Sequence, residues 1–248
     1  TCNSDPRASH LPRCNARSCA AAKEGATHFR KCDAPGLLYN SNFNMSYETV
    51  AISHSLSSPE QLAQAAAVYY DAFAQKLDGL EFGSRPPAQA IRILIDTIQP
   101  EMAAYALLDG RVVGVAGMQY RGRRFYVVPW RVWRREFGLA GGLWRWAWFR
   151  LGQQFAHPAA DALRVDGIAV SAAARGQGVG TQLMAALEAH ARAVGLRGVE
   201  LEVVDTNPEA RRLYERLGFV VTKEGHYGQI TARGGFTGAT YMRKELAA

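Results

Sequence analysis

The stretch from residue 165 to residue 184 limits the fold more than any other, because it demands a strand, a tight turn and a helix in direct succession. Glycines in such a turn let the backbone approach a ligand without a Cβ atom in the way. The first N–H groups of a helix lack intrahelical partners and lie at the positive end of its dipole. We therefore predict a main-chain site for a diphosphate at Arg175-Gly176-Gln177-Gly178-Val179-Gly180.

Two familiar phosphate motifs do not match this turn. No Gly-Lys-Ser or Gly-Lys-Thr follows the glycines, so the turn is not a P-loop. The spacing R-x-x-G-x-G also differs from the G-x-G-x-x-G of dinucleotide-binding domains, and no acidic residue follows at the usual distance at the end of a second strand. The turn therefore belongs to neither class.

A second segment, residues 201–219, predicts a strand followed by a short helix. Asn207 is a favoured N-cap residue, Pro208 suits the first helical position, and Gly218 is a typical helix stop. Tyr214 lies between two leucines of this helix, so its side chain could face a cleft.

Strand and helix patterns alternate from residue 47 onward. Ser58-Pro59-Glu60 predicts a helix start, and Asp109-Gly110 predicts a two-residue hairpin turn. These patterns indicate a single α/β (α+β) domain over residues 45–248, with strands at about 47–53, 102–108, 111–120, 163–170, 198–204, 219–224 and 237–244, and helices at about 58–77, after 87, 179–194 and 208–217.

The two segments together resemble the signatures of the GNAT superfamily of N-acetyltransferases. Arg175-x-x-Gly178-x-Gly180 after a strand is similar to its acetyl-CoA motif. Asn207 through Phe219 resembles its second signature, in the same order and with one strand and one helix between the two. The resemblance implies a mixed, mostly antiparallel central sheet flanked by helices, with acetyl-CoA as co-substrate and no metal.

The same resemblance implies roles for individual residues. The backbone of the strand end would pair with the pantetheine amides, the N–H groups of the turn would hold the pyrophosphate, and Tyr214 would protonate the departing CoA thiolate. A phenol suits that task because a thiolate leaves more easily as it receives a proton. The expected cofactor-binding residues are Ile168, Ala169, Val170, Arg175, Gly176, Gln177, Gly178, Val179, Gly180, Thr181, Asn207 and Tyr214.

The reaction also needs a base, because an amine is protonated at neutral pH and cannot attack in that form. Glu202 is the candidate, since it stands twelve residues before Tyr214, a spacing similar to that of ribosomal-protein alanine acetyltransferases, in which the equivalent Glu acts as base. Asp166 on the preceding strand is the rival.

Residues 121–157 interrupt the strand and helix rhythm and are predicted to be an insertion. They hold all five tryptophans and eight arginines, opposed only by Glu136. Helical spacing predicts one apolar face, which would pack on the domain as a cover, and a shorter pair, Trp133 and Phe137. Two alternatives stay open for this segment. It could form a wall of the acceptor pocket, or it could contact nucleic acid or a membrane surface. The predicted face consists of Trp144, Trp148, Leu151 and Phe155.

Residues 1–44 are predicted to be a disordered extension, because small and polar residues dominate and prolines interrupt any helix. All four cysteines lie within the first 32 residues, so no disulfide framework holds the main fold, and we expect a cytoplasmic protein. A zinc site is the weaker reading of this segment, with Cys14, Cys19, His28 and Cys32 as its ligands.

We expect an N-acetyltransferase that acts on a primary amine of a small molecule or peptide by direct attack. The alternatives are a ribosomal-protein alanine-like N-terminal acetyltransferase and a non-catalytic acyl-CoA-binding, nucleic-acid or membrane-surface module. The basic insertion argues against a polycationic acceptor and favours an acidic or neutral amine. We expect neither nucleic acid nor a membrane as partner, and a homodimer through a Trp-rich face stays open.

Overall fold

A computed structural model describes residues 50–83, 85–154 and 158–247, without the side chains of residues 152–154. The predictions for residues 1–44, the zinc reading of that segment, the first residues of the 47–53 strand and the role of Phe155 lie outside the described residues.

In this part of the chain, seven strands form one sheet in the order β1-β2-β3-β4-β5-β7-β6. Of the neighbouring strand pairs, β4 and β5 are parallel and the others are antiparallel. The strands are β1 (Ala51–Ser53), β2 (Ala103–Leu108), β3 (Arg111–Gln119), β4 (Ala162–Val170), β5 (Gly198–Val204), β6 (Val220–His226) and β7 (Gly238–Glu245).

Five α-helices flank the sheet in the described residues. They are α1 (Pro59–Lys76), α2 (Pro87–Ile95), α3 (Trp130–Gln154), α4 (Val179–Ala193) and α5 (Pro208–Arg216). A π-helical turn, Leu77–Phe82, continues from the end of α1. None of these helices is long and apolar enough to cross a membrane.

The helix and turn signals of the sequence are confirmed. The hydroxyl of Ser58 accepts a hydrogen bond from the Gln61 N–H at 3.3 Å and caps α1. Asp109 and Gly110 both have positive φ, at 49° and 75°, as the tight turn between β2 and β3 requires.

Each face of the sheet has its own apolar core. On one face, Leu183 and Leu187 of α4 pack against β3, β4 and β5. On the other face, Tyr69 of α1 and Leu94 of α2 pack against residues such as Val115 of β3. Both faces of the central strands are therefore covered. The sheet opens within its plane instead, in the gap between β4 and β5.

That gap begins at a β-bulge. Val165 pairs with Met118 and Gly167 pairs with Gly117, so Asp166 is an extra residue in β4. Strands β4 and β5 pair only over Ala162–Arg164, opposite Gly198–Glu200, and separate beyond that point. A bulge bends its strand, so the bend and the separation occur at the same place.

The predicted insertion contains the helix α3, but the prediction that its apolar face packs on the domain is wrong. Trp144 is 69% exposed and Trp148 is 46% exposed, whereas Trp133 is fully buried. Trp133 also contacts Phe137, with ring centroids 5.4 Å apart, as the shorter pair predicted. The reason is Gly138, whose φ of 72° breaks the helix and rotates its second half.

Candidate active site

A cleft of about 550 Å³ lies between the separated ends of β4 and β5. Its walls come from both strands, the start of α4, the helix α5, the last turns of α1 and the segment before β7. Among the residues that line it are Phe73, Asp166, Gly167, Ile168, Val170, Arg175, Gly180, Glu202, Asn207 and Tyr214.

The edge of β4 that faces this cleft offers free backbone groups. Ser171 donates its N–H to the carbonyl of Val113 on β3. In an antiparallel pair, every second residue bonds to the partner strand, so Ala169 also bonds to β3. The N–H and C=O groups of Ile168 and Val170 therefore point away from β3, toward the cleft. The Val170 carbonyl accepts from Arg175 Nε, so an extended amide-containing ligand that adds as a further strand would pair with the Ile168 groups and the Val170 N–H.

The start of α4 has the predicted form of a diphosphate site. Its N-cap residue, Gly178, has φ 77° and no side chain to cap the first turn, which leaves those N–H groups without intrahelical partners. Gly176 also has positive φ, at 75°. A Cβ atom at Gly180 would meet nothing within 4 Å. Because Gly180 lines the cleft, the open space next to it fits a phosphate group.

The side chains of the turn and of the strand before it differ in their contacts. Arg175 donates from Nε to the carbonyl of Val170 at 3.1 Å, and Gln177 donates from Nε2 to the carbonyl of Ala173 at 3.0 Å, so both brace the turn. The side chain of Val179 is buried in the core on one face of the sheet and that of Ala169 in the core on the other, whereas Thr181 is exposed. Val179 and Ala169 can therefore serve a ligand only through their backbones.

The helix α5 brings two predicted residues to the opposite wall. Asn207 caps it, since its Oδ1 accepts from the Ala210 N–H at 3.1 Å, and its amide nitrogen stays available. Tyr214 lies half-buried in the cleft with its ring against Phe219. Burial raises the pKa of Tyr214 to about 12, so the phenol stays protonated at neutral pH.

A second cavity, of about 560 Å³, adjoins the first. It is lined by α3, the end of α1 and the loop before α3. The two cavities share a boundary formed by Phe73, Lys76, Val165, Asp166, Glu202 and Val204. Both candidate bases therefore lie where a ligand from one cavity meets a ligand from the other.

The two carboxylates at this boundary have different environments. Glu202 accepts a hydrogen bond from Arg164 Nη2 at 2.7 Å in a mostly buried ion pair. Asp166 accepts a hydrogen bond at 3.3 Å from the Phe125 N–H. Burial raises the pKa of Asp166 above its ordinary value, although Arg164 and other nearby cations oppose this. Asp166 thus binds a proton more readily than an exposed aspartate.

Several residues of the second cavity were not found by sequence reasoning. Arg124 and Arg145 are two of eight arginines in the insertion, and nothing in their spacing separates them from the exposed ones. Glu81 follows α1 in a π-helical turn and accepts a 2.8 Å hydrogen bond from Tyr126, 45 residues away. Only the tertiary fold brings these groups to one cavity.

An open strand edge that leads to an unpaired helix start suits a protein that binds an extended ligand with a phosphate at one end. The chain belongs to the Acetyltransferase (GNAT) family, whose sequence profile matches residues 70–219. The resemblance drawn from the two motifs is thereby confirmed, and so is the expected mixed, mostly antiparallel sheet flanked by helices.

Individual relatives match over shorter stretches. Acetyltransferase Atu2258 of Agrobacterium fabrum is 40% identical over 76 residues, which are 31% of this chain and 53% of that protein. The N-acetyltransferase YycN of Bacillus subtilis is 36% identical over 77 residues, 31% of this chain and 47% of that protein. The chain therefore spans about half the length of the curated relatives it matches.

A solved structure supports the fold. The GCN5-related N-acetyltransferase from Kribbella flavida superposes with a TM-score of 0.50 at 21% identity, covering 79% of this chain and 98% of that one. This likeness concerns the fold alone.

Proposed function

We propose that this protein transfers the acetyl group of acetyl-CoA to a primary amine of a small molecule or peptide. The observation that carries the proposal is the meeting of two cavities at Asp166 and Glu202. One cavity has the strand edge and helix start that suit acetyl-CoA, and the other leaves room for the amine. Membership of the GNAT family supports acetyl-CoA as the co-substrate.

The chain would hold acetyl-CoA mainly through its backbone. Ile168 and Val170 would pair with the amides of the pantetheine arm, and the N–H groups from Arg175 to Thr181 would bind the diphosphate. The amide nitrogen of Asn207 would donate to the arm from the opposite wall. When bound, the thioester supplies the electrophilic carbonyl carbon.

The amine must lose a proton as its nitrogen bonds to the acetyl carbon and the carbon–sulfur bond breaks. We assign the uptake of that proton to Asp166, because burial raises its pKa and, among the described residues, the Phe125 N–H bonds to just one of its two oxygens. Glu202 remains the other candidate, but its carboxylate is already bound to Arg164. That ion pair suits a positioning role for Glu202 better.

Tyr214 would stabilise the leaving sulfur. Its pKa of about 12 exceeds the pKa of about 8.5 that is usual for a thiol, so complete proton transfer to the thiolate would be uphill. A hydrogen bond from the phenol to the sulfur has no such cost. We therefore propose that Tyr214 acts mainly as a hydrogen-bond donor to the developing thiolate, rather than by complete proton transfer.

Release of free thiol from acetyl-CoA tests the proposed function. We expect release that depends on both the protein and a primary amine, together with calorimetric binding of CoA. Absence of CoA binding would refute the proposal. Binding without turnover on any of a broad set of amines would favour a non-catalytic acyl-CoA-binding module instead.

Three further expectations remain proposals. Peptides with N-terminal alanine should be included among the acceptors, since the ribosomal-protein-type alternative rests on the spacing of Glu202 and Tyr214. A cytoplasmic location rests on the cysteine distribution. A homodimer, if it forms, would use the exposed second half of α3, which carries Leu139, Leu143 and Trp144.

A further inference from the structure

The second cavity is lined by more cations than carboxylates. Five basic side chains face three acidic ones, which are Glu81, Asp166 and Glu202. The pair Arg164–Glu202 is internally neutral, which leaves four cations, Lys76, Arg124, Arg145 and Arg233, and the two carboxylates of Glu81 and Asp166. The charge that remains in the cavity is therefore positive.

Two of the arginines that line the cavity are partly buried. Among the described residues, neither Arg124 nor Arg145 has an acidic hydrogen-bond or ion-pair partner, and Arg145 lies 4.7 Å above the ring of Phe137. Burial lowers the pKa of both guanidinium groups. The nearby charge of Asp166 opposes this at Arg124, whereas Arg85 lowers the pKa of Arg145 further. Guanidinium groups that are shielded from water in this way favour an anionic oxygen ligand.

A third donor lies in the same cavity. Trp133 lines it and is fully buried, and its indole Nε1 has no hydrogen-bond partner in the described part of the chain. Buried donors are rarely left unpaired. Trp133 packs against Phe137, the same ring that Arg145 covers, so the indole ring and the guanidinium lie against one phenyl ring.

The position of Arg124 indicates where the anionic group would lie. Arg124 directly precedes Phe125, whose N–H donates to Asp166. A ligand oxygen bound by Arg124 would thus be close to the carboxylate assigned to the amine proton. Such closeness suits an amine and an anionic group on the same or a neighbouring carbon.

We propose that the acceptor is a primary amine that carries an anionic oxygen group near the nitrogen, with a carboxylate or a phosphate as its source, and that Arg124 and Arg145 bind this group. The proposal rests on the proposed function. It names the class of acceptor, whereas the proposed function requires only an amine.

The test compares three acceptors of one shape: L-phenylalanine, L-phenylalaninamide and the phosphonate analogue of phenylalanine. An aromatic body suits the ring-lined wall formed by Tyr126, Trp148 and Phe149. We expect kcat/KM for the carboxylate or the phosphonate to exceed that for the amide by about 10- to 100-fold, the usual effect of hydrogen bonds to a charged group. Whichever of the two is preferred identifies the source of the anion.

The variants R124M and R145M should each remove most of this preference, whereas R134M should keep it. Arg134 lies exposed on the same helix as Arg145 and does not line the cavity, so it is a matched control. A loss that is equal for the amide and the acid would indicate a structural role and overturn the proposal.

The remaining outcomes separate the two proposals. A wild-type preference for the amide, or equal rates, would overturn this inference and leave acetyl transfer intact. No turnover of any of the three amines by a protein that binds CoA would also overturn it. Loss of CoA binding itself would instead remove the proposed function.

Discussion

At the scale of single residues, the hydroxyl of Tyr214 provides the sharpest test of the chemistry. It makes no hydrogen bond with the described residues, so the variant Y214F removes little that holds the fold. We expect kcat to fall about 100-fold, the lower range for loss of a general acid or its equivalent donor. Acetyl-CoA affinity should change less than about threefold by calorimetry, and undiminished thiol release would refute the assigned role.

Asp166 and Glu202 can be separated by the pH dependence of the rate. Because burial raises the pKa of Asp166, activity should fall as pH decreases through that raised value, where the base becomes protonated. We expect D166N to lose most activity and E202Q to retain the acidic limb of the profile. The opposite result, with the limb lost in E202Q alone, would make Glu202 the base.

The raised pKa of Asp166 also predicts that the variant D166N is more stable than the wild type at neutral pH. A carboxyl whose folded pKa is raised binds protons more tightly in the native state, so stability falls as pH rises from the unfolded pKa to the folded one. The D166N variant cannot ionise, and its amide oxygen can still accept from the Phe125 N–H. Its melting temperature should therefore exceed that of the wild type at pH 7, and the difference should vanish below the ordinary pKa of aspartate.

At the scale of elements, a substitution at Gly180 should change ligand binding and helix stability in opposite directions. It lies in the first turn of α4, and alanine is favoured over glycine in a helix by up to about 1 kcal/mol. A Cβ atom there meets no protein atom but enters the space assigned to a phosphate. We expect G180A to stabilise the free protein and to weaken acetyl-CoA binding at least about tenfold.

Its control is G141A in α3, where the added Cβ atom would have only an ordinary 3.6 Å contact with Phe137. That variant should leave acetyl-CoA affinity unchanged. Equal affinities of G180A and the wild type would place the diphosphate elsewhere.

The elements differ in how far the sequence could predict them. Caps such as Ser58 and Asn207, and the turn before α4, are encoded within a few neighbouring residues, and the structure has them where the sequence places them. The buried face of α3 could not be predicted in this way, because Gly138 breaks the helical period partway along. The environment of Asp166 depends on a bulge and on Phe125, which is 41 residues distant.

At the scale of the whole molecule, ligand binding should raise the melting temperature. A ligand that binds only the native state at 100 times its Kd stabilises by about 2.7 kcal/mol, which raises the melting temperature of a domain of this size by roughly 5–10 °C. We expect acetyl-CoA to produce such a shift. S-acetylpantetheine at the same concentration should produce a much smaller one, since it lacks the diphosphate that the start of α4 would bind.

Two conditions make that comparison specific to the helix start. Added salt should reduce the shift for acetyl-CoA more than the shift for S-acetylpantetheine, because residues 175–178, which lead into α4, are exposed and ions screen exposed charges. In G180A, the shift for acetyl-CoA should decrease while the shift for S-acetylpantetheine stays the same. If both ligands lost their shifts together, the pantetheine edge at Ile168 and Val170 would be the altered part, and the phosphate assignment to Gly180 would be wrong.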